Sequence, residues 1–127
     1  MKRMVQQLSW FIVVGASAAI VHWVIAVAGV KYIQLNPLWA NLIGWLVAFT
    51  VSFSGHYHLT FRHQRAGARQ AVRRFFLISA AGFAVNELSY AYLLAYTQIP
   101  YDLLLLGILV AVAGATFIAS RFWGFKN

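Results

Sequence analysis

The chain has 127 residues, of which 62% are hydrophobic and only 9% charged, and ten Lys or Arg against two Asp or Glu give a formal net charge of +8. A soluble domain carries about 25% charged residues, so this composition excludes a water-facing surface and with it a soluble enzyme. The apolar content excludes disorder, and the absence of Cys excludes disulfides, thiol chemistry and Cys-ligated zinc.

The first uncharged stretch lies between Arg3 and Lys31 and holds 27 residues. About 20 apolar residues cross the hydrocarbon core of a bilayer, so a first span is expected over about 10–30. It is too long and too well flanked to read as a removed signal peptide. Asn36-Pro37 then breaks the chain. The next 30 uncharged residues, between Lys31 and Arg62, predict a second span over about 38–58. A basic stretch follows at 62–74. Arg62, Arg65, Arg69 and Arg73 recur every three or four residues, which predicts a short helix lying at the membrane interface with one arginine stripe. A third span is expected over about 75–96, with Glu87 as its single charge. Ile99-Pro100 makes the next turn. The fourth span is expected over about 103–121, and the 18 residues between Asp102 and Arg121 carry no charge.

Orientation follows from the Lys/Arg bias of the loops. Lys2, Arg3, Arg62, Arg65, Arg69, Arg73, Arg74, Arg121 and Lys126 fall on one side and only Lys31 on the other. Both termini and the basic stretch are therefore expected in the cytoplasm. Tyr32, Trp39, Tyr96 and Tyr101 mark the outer interface, and Trp10, Tyr57 and Trp123 the inner one. Topology and anionic lipid account for the basic charge, so no nucleic-acid partner is expected.

The two halves resemble each other at an offset of 64. Phe11 aligns with Phe75, Gly15 with Ser79, Ala18 with Gly82, His22 with Asn86, Phe53 with Phe117 and Phe61 with Phe125. Pro37 and Pro100 fit with one small indel. The expected fold is an all-α integral membrane four-helix bundle, a single domain over 1–127. It is made of two parallel two-helix repeats: repeat one 8–61, the basic loop 62–74, and repeat two 75–127.

Small and polar residues share faces of these spans. They are Gly15, Ala18, His22, Ala26 and Gly29 in the first, and Asn41, Gly44, Ala48, Ser52 and Gly55 in the second. The third has Ser79, Gly82, Asn86 and Tyr90, and the fourth Gly107, Ala111 and Gly114. Small residues let helices approach closely in lipid and polar ones bond across the gap. His22, Asn41, Asn86, Glu87 and Tyr90 are the candidate polar cluster. Glu87 stands about twelve residues into its span, so near mid-depth, where a carboxylate costs roughly 2.5 kcal/mol or more. It either serves a substrate or proton path or hydrogen-bonds His22 or Asn86 and holds helices together. At the inner ends lie His56, His58, Arg62, Arg74 and Arg121. An Arg there either grips a phosphate through paired hydrogen bonds or reaches to the interface as an anchor. His56 and His58 are two apart and point to different sides of a helix, so no metal site is expected from them.

Together these residues resemble the GtrA-like family of small four-span bacterial membrane proteins over nearly the whole chain. The resemblance rests on the opening "FIVVGASAAI" at Phe11 and on the endings "SFSGHYHLTF" (52–61) and "TFIASRFWGF" (116–125). The second ending fits the family's Asn/Ser-Arg-x-Trp-x-Phe pattern at Ser120, Arg121, Trp123 and Phe125. The first keeps Phe61 but has Tyr57 in place of Arg and Leu59 in place of Trp, so a symmetric pair of arginine contacts is broken there unless His56 or His58 compensates. The resemblance implies a flippase of the bacterial inner membrane. It would move a polyprenyl-phosphate sugar, such as undecaprenyl-phosphate glucose, to the outer leaflet. A membrane glycosyltransferase would use the sugar there, as in O-antigen glucosylation. The lipid phosphate would meet Arg121, Arg62, His56, His58 and Arg74. The sugar would pass Glu87, Asn86, His22, Asn41 and Tyr90. No cofactor is implied, and because four helices normally pack solid, a homodimer is expected. Two alternatives are a non-transporting adaptor for a glycosyltransferase and a small proton-coupled exporter. The latter carries its essential Glu in the first span, where this chain has only His22.

Overall fold

The computed structural model describes residues 2–62 and 68–124. Its elements run α1 (Lys2–Tyr32), α2 (Pro37–Gly55) with a π-helical turn (His56–Thr60), α3 (Ala68–Tyr96), and α4 (Tyr101–Ala119) with a second π-helical turn (Ser120–Gly124). All four helices are long and apolar enough to cross a membrane, over Val5–Tyr32, Pro37–Thr60, Arg73–Tyr96 and Tyr101–Gly124. The protein is a multi-pass membrane bundle of four helices, and among the described residues there is no strand.

The turns follow the sequence closely. Asn36 caps α2 by accepting the Leu38 amide on its side-chain oxygen at 2.9 Å, and Pro37 opens the helix where its missing N–H costs nothing. Gln34 carries the left-handed backbone of that turn, with φ of 63°. Pro100 plays the capping role for α4 with a near-identical extended backbone, ψ 143° against 136° at Asn36. The π turns sit at the same offset of 64 as the aligned residues. In the first, the Phe61 amide reaches the His56 carbonyl five residues back at 2.9 Å. Such turns concentrate at functional places in helices.

Two expectations are corrected. The stretch before Phe75 is not a separate interfacial helix: α3 begins at Ala68 and carries Arg69, Arg73 and Arg74 straight into the span. No Gly or Pro interrupts the chain between Ala68 and Ala81, so nothing ends one helix before the next begins. Arg65 lies outside the described residues. In α4, Gly107, Ala111 and Gly114 do not face the bundle but are exposed. Leu104, Leu105 and Ile108 point inward instead, around the buried ring of Tyr90. In an all-apolar helix the bulky face fills the core better, and the small face is left to the lipid.

The interior has three levels. Near the far end, Ala26, Ala40, Tyr90, Leu104, Leu105 and Ile108 form one apolar cluster. Near the basic end, Phe11, Phe61, Ala71 and Phe75 form another, flanked by Phe49, Phe53, Tyr57 and Phe117. Between them lie buried His22, Asn41 and Asn86. The outer surface is apolar, with Val24, Ile43, Leu88, Leu106 and Val110 exposed, as lipid contact requires.

The two hairpins pack differently. A Cβ on Gly44 would stand 2.7 Å from the His22 carbonyl oxygen, and one on Gly55 would stand 2.5 Å from Val14 Cγ1. Both positions therefore have to be glycine for α1 and α2 to touch. At the offset of 64, Gly44 corresponds to Ile108 and Gly55 to Ala119. The second hairpin lacks both close approaches, and nothing lies within 4 Å of a Cβ on Gly107 or Gly114.

Candidate functional site

Asn41 is the hub of the polar level. It stands four residues into α2, just over one helical turn from Pro37, so it lies about 6 Å from the start of that helix. The amide nitrogen of Asn41 donates to Asn86 Oδ1 at 2.9 Å and to Glu87 Oε1 at 3.0 Å. Its oxygen takes a hydrogen bond from His22 Nε2 at 2.6 Å. An amide oxygen only accepts, so the His22 proton sits on Nε2. Three helices are thus joined through one side chain, which uses both of its N–H donors. His22, Asn41 and Asn86 are buried, whereas Glu87 is half-buried at the edge. Of the five residues expected in this cluster, four meet. Tyr90 does not: its hydroxyl points away and donates to the Tyr101 carbonyl at 3.2 Å. Along the second span Asn41 stands near the Pro37 end, nineteen residues or about 28 Å from Thr60, whereas Glu87 stands nine residues from the Tyr96 end of the third.

A cavity of about 120 Å³ lies between all four helices. Along α1 it runs from Phe11 to His22, about 16 Å by helical rise. The aligned pairs Phe11/Phe75, Gly15/Ser79, Ala18/Gly82 and His22/Asn86 all line it. It is smaller than the ~300 Å³ at which ligand pockets begin. Ser52, Ser79 and Thr116 add hydroxyls to its wall. Trp45 closes one side, stacked on Phe83 at 4.8 Å and donating its indole N–H to Ser79 Oγ at 2.7 Å. The Trp45 bridge was not expected. An interior Trp among apolar residues carries no signal in sequence until its partner is known.

The basic end divides the expected phosphate ligands. His56 is not at the surface. Its ring is stacked on Phe11 at 4.8 Å and buried to 1% exposure, with Nδ1 hydrogen-bonded to Thr60 Oγ1 at 2.9 Å. His56 keeps α-helical register with α2, its N–H bonded to the Ser52 carbonyl, so it follows Ala48 and Ser52 on the inward face and lines the basic end of the cavity. His58 is exposed and edge-on to Tyr57, and Arg62 is half-buried. Tyr57 stacks on Phe53 at 5.6 Å, and Phe61 is fully buried. Arg74 donates to the Trp123 carbonyl at 3.2 Å and lies over the Trp123 ring at 5.6 Å. Arg121 donates to Gln7 Oε1 of α1 and lies over Phe122. Gln7, a polar residue flanking the first span, is buried. Ser120 is buried with its hydroxyl unpartnered among the described residues. Phe125 and Lys126 lie outside the described residues. Arg74 and Arg121 thus fasten the second π turn to α3 and α1. Among the described residues no three His, Asp or Glu gather as a metal site would need.

This geometry defines a class: a small lipid-embedded helical bundle with a hydrogen-bonded polar core and a cationic rim at one end. The model of the GtrA/DPMS transmembrane domain matches residues 10–125, and the chain belongs to that family. Membership makes it a membrane protein of polyprenyl-phosphate-sugar processes. No curated protein and no solved structure matches the chain at a significant level.

Proposed function

We propose that the protein translocates a polyprenyl-phosphate-linked sugar, of the undecaprenyl type, across the bacterial inner membrane for cell-surface polysaccharide synthesis. The observation that carries the proposal is the polar interior inside a lipid-embedded bundle of this family. A hydrogen-bonded His22–Asn41–Asn86–Glu87 chain, and a cavity whose largely apolar wall carries Ser52, Ser79 and Thr116 hydroxyls, offer hydroxyl-bearing groups polar partners within hydrocarbon, where unpaired polar groups are costly. The basic end is cytoplasmic by the Lys/Arg bias. Arg62, Arg74 and Arg121 there attract the lipid phosphate and anionic headgroups. At about 120 Å³ the cavity is too small for a sugar in this conformation, so transport requires the helices to part. A homodimer supplies a surface against which they can do so. The exposed Gly107, Ala111 and Gly114 face is suited to close helix contact. A membrane glycosyltransferase takes the sugar at the outer face. No catalytic role is assigned to any residue.

The small volume of the cavity favours one competing role, a non-transporting adaptor that holds the glycosyltransferase. Glu87→Gln separates the two in cells. Glutamine still accepts from Asn41, so the fold is kept, but the charge is gone. Translocation predicts loss of surface glycosylation at wild-type protein level in Glu87→Gln and in His22→Ala. Unchanged glycosylation in both variants supports the adaptor. A proton-coupled exporter ranks below both, because its carboxylate belongs on the first span.

A further inference from the structure

A second hollow lies on the outside of the bundle. It is a groove of about 560 Å³ between α3 and α4, walled by apolar and small side chains such as Leu77, Val85, Ala111 and Ala115. The second hairpin has Ile108 where the first has Gly44 and Ala119 where it has Gly55, and its own close glycine contacts fall elsewhere, at Gly82 against Val112 and Gly124 against Ile78.

Two further features say what fits it. At the basic end the groove finishes on Trp123, whose ring lies under the Arg74 guanidinium. A positive charge therefore stands at the mouth of an otherwise apolar channel. Along its length the groove shares three wall residues, Gly82, Val112 and Thr116, with the central polar cavity. That partition is thin: a Cβ on Gly82 would stand 3.2 Å from Val112 Cγ1 and 3.7 Å from Thr116 Oγ1.

We propose that the α3/α4 groove is the seat of the isoprenoid tail of the carried lipid. The proposal rests on the translocation reading and specifies how one lipid engages the chain. Its phosphate lies at Arg74, and its tail runs outside the bundle along Ala81 and Ala115. The occupant is an amphiphile with one anionic head and a long flexible tail, which matches a groove that is charged at one end and apolar beyond it. Tail-in-lipid and tail-in-groove are equally apolar, so preference comes from packing and from the charge at the mouth.

The test uses the full-length protein in nanodiscs with a polyprenyl phosphate that carries a diazirine in its tail. After irradiation, adducts are mapped by mass spectrometry. Adducts are expected on α3 and α4 along the groove. They should be displaced by unlabelled polyprenyl phosphate and not by phosphatidylglycerol. Ala81→Phe with Ala115→Phe fills the groove from two exposed positions that touch no core, and should reduce groove adducts to the level of an unrelated lipid-facing site. Adducts spread evenly around the surface, or equal displacement by phosphatidylglycerol, overturn the proposal. So does an Ala115→Cys variant whose copies disulfide-link across the groove in place of lipid adducts, which would assign it to a second subunit. Binding is read without transport, so failure here is distinct from failure of translocation in liposomes.

Discussion

Replacing Asn41 with leucine tests whether the polar level holds the bundle together. The side chain keeps its branched shape, with two bulkier methyls in place of the amide, but three hydrogen bonds vanish, to His22, Asn86 and Glu87. Interhelical bonds in membranes average about 0.6 kcal/mol and reach about 1.7. Asn41→Leu should therefore cost roughly 2 kcal/mol, and up to about 5 if each bond is at the strong end. All three partners then sit in hydrocarbon with a missing contact, which pushes the cost upward. The assay is reversible unfolding in mixed micelles, followed by helix content and Trp fluorescence. The bonds share one hub, so the effects should not add. Asn86→Leu alone should cost more than the same change made on top of Asn41→Leu. Stability of Asn41→Leu within about 0.5 kcal/mol of wild type, the spread of neutral surface changes, would refute the reasoning.

Other consequences concern packing and assembly. Gly44→Ala puts a methyl against the His22 carbonyl, a backbone atom that cannot turn aside, and should cost about 1–3 kcal/mol. Gly107→Ala meets open space and should stay within about 0.5 kcal/mol in the same unfolding assay. His56→Ala empties a stacked, buried site and should cost about 2–5 kcal/mol, whereas His58→Ala at an exposed one should be neutral. If the outward small face of α4 joins two copies, Gly107→Leu with Gly114→Leu should abolish dimer cross-linking in native membranes while each monomer still folds. Dimer at wild-type yield would remove α4 from the interface.

The span layout was legible because charge is the strongest signal in a bilayer. Each uncharged run became a helix, and Asn36-Pro37 and Ile99-Pro100 became the turns. Polar residues were legible too. His22, Asn41, Asn86 and Glu87 stand out in apolar surroundings, and hydrocarbon forces such groups to find each other. What stayed hidden was rotation about a helix axis that is apolar all round. Nothing in Leu104, Leu105 and Ile108 as residue types says that they, and not Gly107 and Gly114, face inward. His56 was legible in principle: α-helical spacing from Ala48 and Ser52 turns it into the ring cluster of Phe11 and Phe75, and its charge-bearing residue type suggested the headgroup level instead.

Translocation itself is measured most directly in liposomes that hold the protein and a polyprenyl-phosphate sugar, with an impermeant reagent added outside to modify the sugar. Wild-type protein should expose the inner-leaflet pool as well as the outer, and Arg121→Ala and Asn41→Leu should not. Modification that stops at the outer-leaflet pool in wild-type vesicles, as in protein-free ones, would contradict the account.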